Sequence, residues 1–322
     1  MRMRSMLYIV SLALGPGLLV TTVSAQGHLT ATQGEVGYQM PAQGGRIRWT
    51  FDLMVGCDFC DSPNPIVWTT DSHGYEESIS VSIPDANRIS IRDVASGPDK
   101  SLAAVGLAIA GNSRGGNFIL WISPDRSKQT VIRVWPYTPN VVAVAPDGTI
   151  WAVGGVGNSN FRRIYDNVLR HYSPSGQLLS STILQNIRPQ PNGFPEVSQM
   201  SELMASNDRI GWLTGPCQYV EFSFDGMELG SYSCPSGFGK MMELAGAALS
   251  PTDDLLVGSR WLSPLAPLQL NRSSNAWTPV TVSQDSGKTW MILGFDGNTL
   301  VTATPSSTMR RYSWSAQAAG GQ

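Results

Sequence analysis

Charge, lysine and histidine are scarce in this chain. Of its 322 residues only 14% are charged, four are lysine and three are histidine, and the formal net charge is −2. A mildly acidic chain with so few lysines lacks the basic footprint that phosphate binding requires, so nucleic acid is not an expected partner. The three histidines, His28, His73 and His171, stand far apart in sequence. No HExxH or paired-His spacing occurs, so no metal site is expected and no histidine is assigned a catalytic role. GxSxG, Walker and Rossmann patterns are missing as well. Beyond the first 25 residues no apolar run is long enough to span a bilayer.

Those first residues, MRMRSMLYIVSLALGPGLLVTTVSA, place Arg2 and Arg4 before an apolar run from Leu7 to Leu14 and end on small residues at Val23, Ser24 and Ala25. That is the layout of a secretory signal peptide cut after Ala25. An uncleaved anchor is the alternative, but Gly15, Pro16 and Gly17 interrupt the run and no cysteine stands at the cut to take a lipid. Cleavage removes 25 residues and two arginines, leaving 297 residues with a net charge of −4. The mature protein is expected to be secreted or periplasmic and monomeric, with residues 26–322 as a single domain.

What the chain has in plenty is glycine (33), proline (21) and tryptophan (ten), a composition suited to short strands and tight turns. A repeat runs through it: an apolar strand, a polar turn, a second apolar strand. The clearest copy is VVAVAPDGTIWAVGG from Val141 to Gly155, with relatives starting at Asp93, Met200, Gly246 and Met291. Each is followed by a second hairpin, such as VLRHYSPSGQLLSSTI, so two hairpins make one four-stranded unit. Five units are visible from Asp93 onward, and RIRWTFDL with PIVWTTDSHGYEESISVSI reads as another upstream. The fold class predicted is all-β, a propeller of six four-stranded blades, with seven as the alternative. The last unit lacks its outermost strand, which HLTATQGEVGYQM at the mature N-terminus is expected to supply. In the DG and SG turns glycine takes the positive φ that a tight hairpin demands.

The segments APDGTIWAVGG and LRHYSPSGQLLSS resemble repeats of the NHL, virginiamycin-B-lyase-like and regucalcin-like propellers of secreted bacterial proteins. A likeness at the level of a superfold implies architecture and carries little about activity. SQDSGKTW resembles the Asp-box SxDxGxTW of sialidases and related secreted propellers, with Ser283, Asp285, Gly287, Thr289 and Trp290 in the fixed places. What that resemblance implies is structural: the Asp caps turn amides, the Gly takes positive φ, and the aromatic packs under the turn. Repeat spacing conflicts with it, because it makes VTV the outermost strand of one blade and WMILGF the innermost of the next. The early Phe-Arg-Ile-Pro signature of sialidases is missing, so the box argues for a propeller and hardly for a glycosidase.

CDFC, Cys57 to Cys60, is compatible with a redox pair, half of a metal site or a loop disulfide, the last being preferred. Cys217 and Cys234 are expected to bridge across an outer hairpin, since opposed positions about an Asp225–Gly226 turn pair 217 with 234. Arginines recur in loops that frame one face: Arg114, Arg162 and Arg163 with Tyr165, and Arg260 with Trp261, joined by Arg188 and Glu196 from a long connection. Guanidinium forks suit carboxylates, and an aromatic neighbour stacks on a ring. Pairing with local carboxylates such as Asp166, or simple coating of the rim, is the bland reading. The expected function is a binding or scaffold protein that holds a small anionic ligand, glycan or protein on this face. The alternatives are a hydrolase or lyase working in the central funnel (lactonase, lyase or sialidase-like) and a structural module of the cell envelope. No cofactor is evident, and a divalent cation in the funnel is left open.

Overall fold

The structure, a computed structural model, describes residues 27–31, 36–37, 47–111, 115–158, 163–184, 201–214, 218–233, 244–259, 267–283, 291–303 and 308–315. Among them every regular element is a β-strand.

The strands follow one plan along the chain. Each unit is an antiparallel meander that starts at an inner strand and works outward. The first runs Arg48–Thr50, Leu53–Asp58, Ile66–Asp71, Glu76–Ser80. The second is Arg88–Ser96, Leu102–Ile109, Gly116–Ile122 and Gln129–Arg133, with Asp61–Ser62 added against its inner strand. Next come Tyr137–Val144 to Leu178–Ile183, Glu202–Ala205 to Glu228–Ser233, and Leu244–Leu249 to Ala276–Pro279. The last unit comprises Met291–Asp296, Thr299–Ala303 and Thr308–Ser315. Against its third strand lies His28–Ala31 from the other end of the chain, antiparallel, with Leu29 opposite Trp314.

Turn chemistry explains the meander. In APDGT the Ala145 amide bonds the Thr149 carbonyl, Gly148 sits at φ 79°, and the Asp147 carboxylate accepts from the Thr149 amide and hydroxyl. The same device recurs at Ser123–Lys128, where the Ser123 and Ser127 hydroxyls hold the Asp125 carboxyl down at about 2. The Ala145–Thr149 and Ser223–Met227 loops have three residues with a bulge at the glycine, one residue longer than the two-residue turn expected at Asp225–Gly226, while Ser123–Lys128 has four with Arg126 at positive φ. A register shift between Glu221 and Phe222 absorbs the extra residue, so Gln218 still faces Ser233 as the expected register requires. Cys217 and Cys234 come next on either side and lie outside the described residues.

One assignment needs correction. VTV is not the outermost strand of the fifth unit, a place taken by Ala276–Pro279. Thr281–Ser283 instead crosses to the last unit and pairs in parallel with His28–Ala31. Val280 and Leu29, both fully buried, draw that segment across. Ser283 of the Asp-box therefore ends this crossing strand, and Asp285, Gly287, Thr289 and Trp290 fall outside the described residues.

The core is distributed between units. One apolar cluster fills the space between the first and second units, and others follow between each consecutive pair. A further cluster packs Leu293, Val301 and Met309 of the last unit on Trp49 and Met54 of the first. Packing thus runs round the chain and returns to its start. Each fully buried Leu, Ile, Val or Phe side chain contributes on the order of 1.5–3 kcal/mol, so no unit is self-sufficient. At the junction Gly294 (φ 154°) lies so close to the first unit that a Cβ would stand 1.6 Å from the Trp49 carbonyl oxygen. Only glycine fits there.

Candidate functional site

A meander of four strands returns the chain to the same end, so all units point the same way. One end carries the links between first and second and between third and fourth strands, which are short turns. The other end carries the remaining links, among them 59–65, 110–115, 158–162, 185–200 and 260–266.

Between the two ends the axis is filled. Arg48, on the first unit's inner strand, is buried, and its Nη1 donates to the carbonyls of Val142 and Leu203, each at 3.1 Å. Its Nη2 lies 3.2 Å from the Asp93 carboxylate on the second unit. One guanidinium therefore ties the inner strands of four units. Asp93 also accepts from the Val142 amide at 2.8 Å, and Glu202 accepts from the Ala247 amide at 3.0 Å. In both, a carboxylate on one inner strand takes an amide of the next. Register shifts in the inner strands, between Ile91 and Asp93 and between Pro139 and Val141, turn residues toward this axis. The space beside Arg48 is about 50 Å³, lined also by Trp49, Leu203 and Leu293. That is room for water rather than for a substrate.

At the turn end a wider cup of about 180 Å³ opens between Phe51, Asn207, Pro251 and Gly297. Its rim is acidic: each inner-strand turn carries an aspartate, Asp52, Asp99, Asp147, Asp208, Asp253 and Asp296. Five of these have local partners. Asp99 and Asp147 accept amides two residues on, Asp208 and Asp253 flank Arg209, and Asp296 takes Arg311 at 2.7 Å. Burial raises the Asp253 carboxyl, while the Arg209 guanidinium lowers that of Asp208. Arg209 also reaches Glu221, a buried carboxylate shared with Arg272. Among the described residues no group of three or more His, Cys, Asp or Glu is arranged to hold a metal ion.

The residues singled out in the sequence were expected at the opposite end. Arg114, Arg162, Arg188, Glu196, Arg260 and Trp261 lie outside the described residues. The backbone of Arg163 opens the strand Arg163–Tyr172. Tyr165 is 45% exposed beside Ile164, 55% exposed. Sequence reasoning missed Trp135, 45% exposed in the link from the second to the third unit. Val156 pairs with Tyr137 on one side and Tyr165 on the other, which sets the Trp135 link and Tyr165 two strand spacings apart, ~10 Å. A large aromatic directly before proline in an inter-unit link was the available signal. Other arginines near this end are already engaged: Arg88 pairs with Asp61, Arg92 donates to the Pro139 carbonyl, and Arg133 donates to that of Pro84. Cys57 and Cys60 lie at disulfide distance, with Cα atoms 5.6 Å apart, where the second strand passes into the first of these links.

No protein-family model matches the sequence, and no curated protein matches it. Solved structures do. Virginiamycin B lyase from Staphylococcus aureus, a catalytically inactive form with quinupristin, superposes with a TM-score of 0.52 at 12% identity, over 91% of this chain and 96% of that one. The Swd1 β-propeller domain from Myceliophteria thermophila gives 0.50 at 7% identity, over 87% and 99%. The chain has a β-propeller fold. At such identities the likeness speaks for architecture alone.

Proposed function

We propose that this protein is a secreted six-bladed propeller, closed by its N-terminal strand, that binds a small carboxylate-bearing ligand on the face of the long links. The observation that carries the reading is the difference between the ends. The axis is blocked at Arg48, and the turn end presents aspartates, which repel an anion. The other end has the links long enough to shape a pocket, with Trp135, Tyr165 and Ile164 exposed beside them. Arg114, Arg163 and Arg260 belong to equivalent links or their borders in three blades, and guanidinium groups there give paired charge-assisted hydrogen bonds to a carboxylate. Trp135 or Tyr165 supplies a stacking surface. A closed axis favours a binding protein over an enzyme with a deep funnel. Export is supported by the N-terminal segment and by the Cys57–Cys60 pair.

The test is a thermal-shift screen against mono- and dicarboxylates, acidic and neutral sugars, Ca²⁺ and Mg²⁺. A carboxylate at 100 times its dissociation constant stabilises the native state by about 2.7 kcal/mol. The R114A/R163A/R260A variant should keep the melting temperature of the free protein and lose that shift. A shift only with neutral sugars or cations, or one unchanged in the variant, would overturn the reading.

A further inference from the structure

The cup of about 180 Å³ at the turn end is built by inner-strand turns of five units, and its walls are apolar. Phe51 and Phe295 bring aromatic rings, with Leu249, Pro98 and Pro251 between them. Most polar groups on the wall are spent on the turns themselves. The Ser250 hydroxyl takes the amides of Thr252 and Asp254, and the Asn207 side-chain amide donates to the Pro251 carbonyl. Asp52, exposed on the rim, is the one charged residue that lines the cup, and among the described residues no ion pair or hydrogen bond engages it. Below the cup lies the smaller space beside Arg48, and the two share Phe51, Ala205, Leu249 and Phe295. There the Arg48 guanidinium stands among the carboxylates of Asp93 and Glu202, which leaves the axis under the cup net negative. Phe51 has φ 53°, the left-handed region, and its carbonyl accepts from the Trp49 indole at 2.9 Å. A turn with no other role is better served there by glycine or asparagine, whereas phenylalanine puts a ring on the cup.

We propose that this cup binds a small quaternary ammonium compound, its methyl groups against Phe51 and Phe295 and its charge facing Asp52. Apolar walls and negative charge together select a cation that asks for no hydrogen bonds. A primary ammonium brings three N–H donors, for which Asp52 alone cannot provide, and a metal ion needs several oxygen ligands. A quaternary ammonium spreads its charge over carbon and packs on aromatic faces. Pockets for drug-sized ligands hold roughly 300–1,000 Å³, so this cup takes one head group. The rim aspartates repel a phosphate beside the ammonium, so the occupant is a free compound and not a phosphocholine lipid head. Short locked turns make the cup rigid, and a nearly spherical ion requires no adaptation from them. This site lies at the opposite end from the carboxylate site proposed above and does not depend on it.

Choline chloride titrated calorimetrically into the purified protein at constant ionic strength should bind saturably, with a dissociation constant on the order of 1 mM. The neutral 3,3-dimethylbutan-1-ol, which has carbon in place of the choline nitrogen, should bind about tenfold more weakly. Phosphocholine should also bind more weakly than choline. Phe51→Gly suits the left-handed turn, so it should keep the melting temperature and lose choline binding. Asp52→Asn, an exposed change, should weaken binding about fivefold. Any one of four results would overturn the proposal: no saturable heat up to about 50 mM choline, equal affinity for the neutral alcohol, phosphocholine binding as tightly as choline, or full affinity in folded Phe51→Gly. Where Phe51→Gly does not fold, Asp52→Asn decides, and unchanged affinity there overturns the proposal.

Discussion

The two ends of this propeller are made from the same strands and have opposite characters. At the turn end, links of a few residues are locked by their own aspartates and serines, and an ion pair of Arg209 with Asp253 joins two of them. At the other end the links are longer. Short turns leave little freedom to shape a pocket, whereas long ones are free to vary over a rigid scaffold. The difference teaches that rigidity and variability are divided between ends, with Arg48 as the partition.

The comparison can be broken most forcefully at that partition. Arg48→Ala leaves the buried Asp93 carboxylate without its cation and strips two carbonyls of their donor, a loss of about 3–5 kcal/mol by chemical denaturation. A loss below ~1 kcal/mol would mean that Arg48 behaves as a surface charge. At the link end, Cys217 and Cys234 should form a disulfide, because the register of the described ladder, continued one step past Gln218 and Ser233, would set them opposite one another. Replacing both with serine should cost about 3 kcal/mol, and recovery of both as free thiols in non-reducing peptide maps of exported protein would refute it. Closure is probed at Gly27, whose amide donates to Gln269 and whose Cβ would stand 1.9 Å from the Trp314 ring. Gly27→Val should lower stability by about 1–3 kcal/mol across the ring, and an unchanged melting temperature would show that the strand is dispensable.

The smallest effect is one of pH, at the turn end. His171 is buried against Trp151, ring centroids 4.0 Å apart, and burial lowers its basicity, while Asp147 pushes the other way. The unfolded chain then binds the proton more readily than the folded one, so stability rises with pH across the window between the two values. Melting temperature should fall as pH drops below about 6.5 and level off beneath the folded value. His171→Phe should flatten that slope, and a slope unchanged in the variant would assign it to other groups.

Much of this was legible in the residues. APDGT and its relatives announce hairpins because Asp and Gly act on their immediate neighbours, and local chemistry is what a sequence displays. The site was less legible. Trp135 is exposed while Trp151 and Trp212 are buried, and only the proline that follows it sets it apart in the sequence. The repeat spacing was misleading about VTV, because Thr281–Ser283 answers to a strand some 250 residues away in sequence.

By itself, then, the sequence determined the strands, the turns, the repeat and the expected register of the outer hairpin at Gln218–Ser233, all of them set by residues within a few positions of one another. Tertiary structure decided that Arg48 would fill the axis and that Asp93 and Glu202 would take amides from the next inner strand. Those depend on which blades meet. Such partners lie 45 or more residues apart for every contact to the axis, and no short-range pattern encodes a distance of that kind.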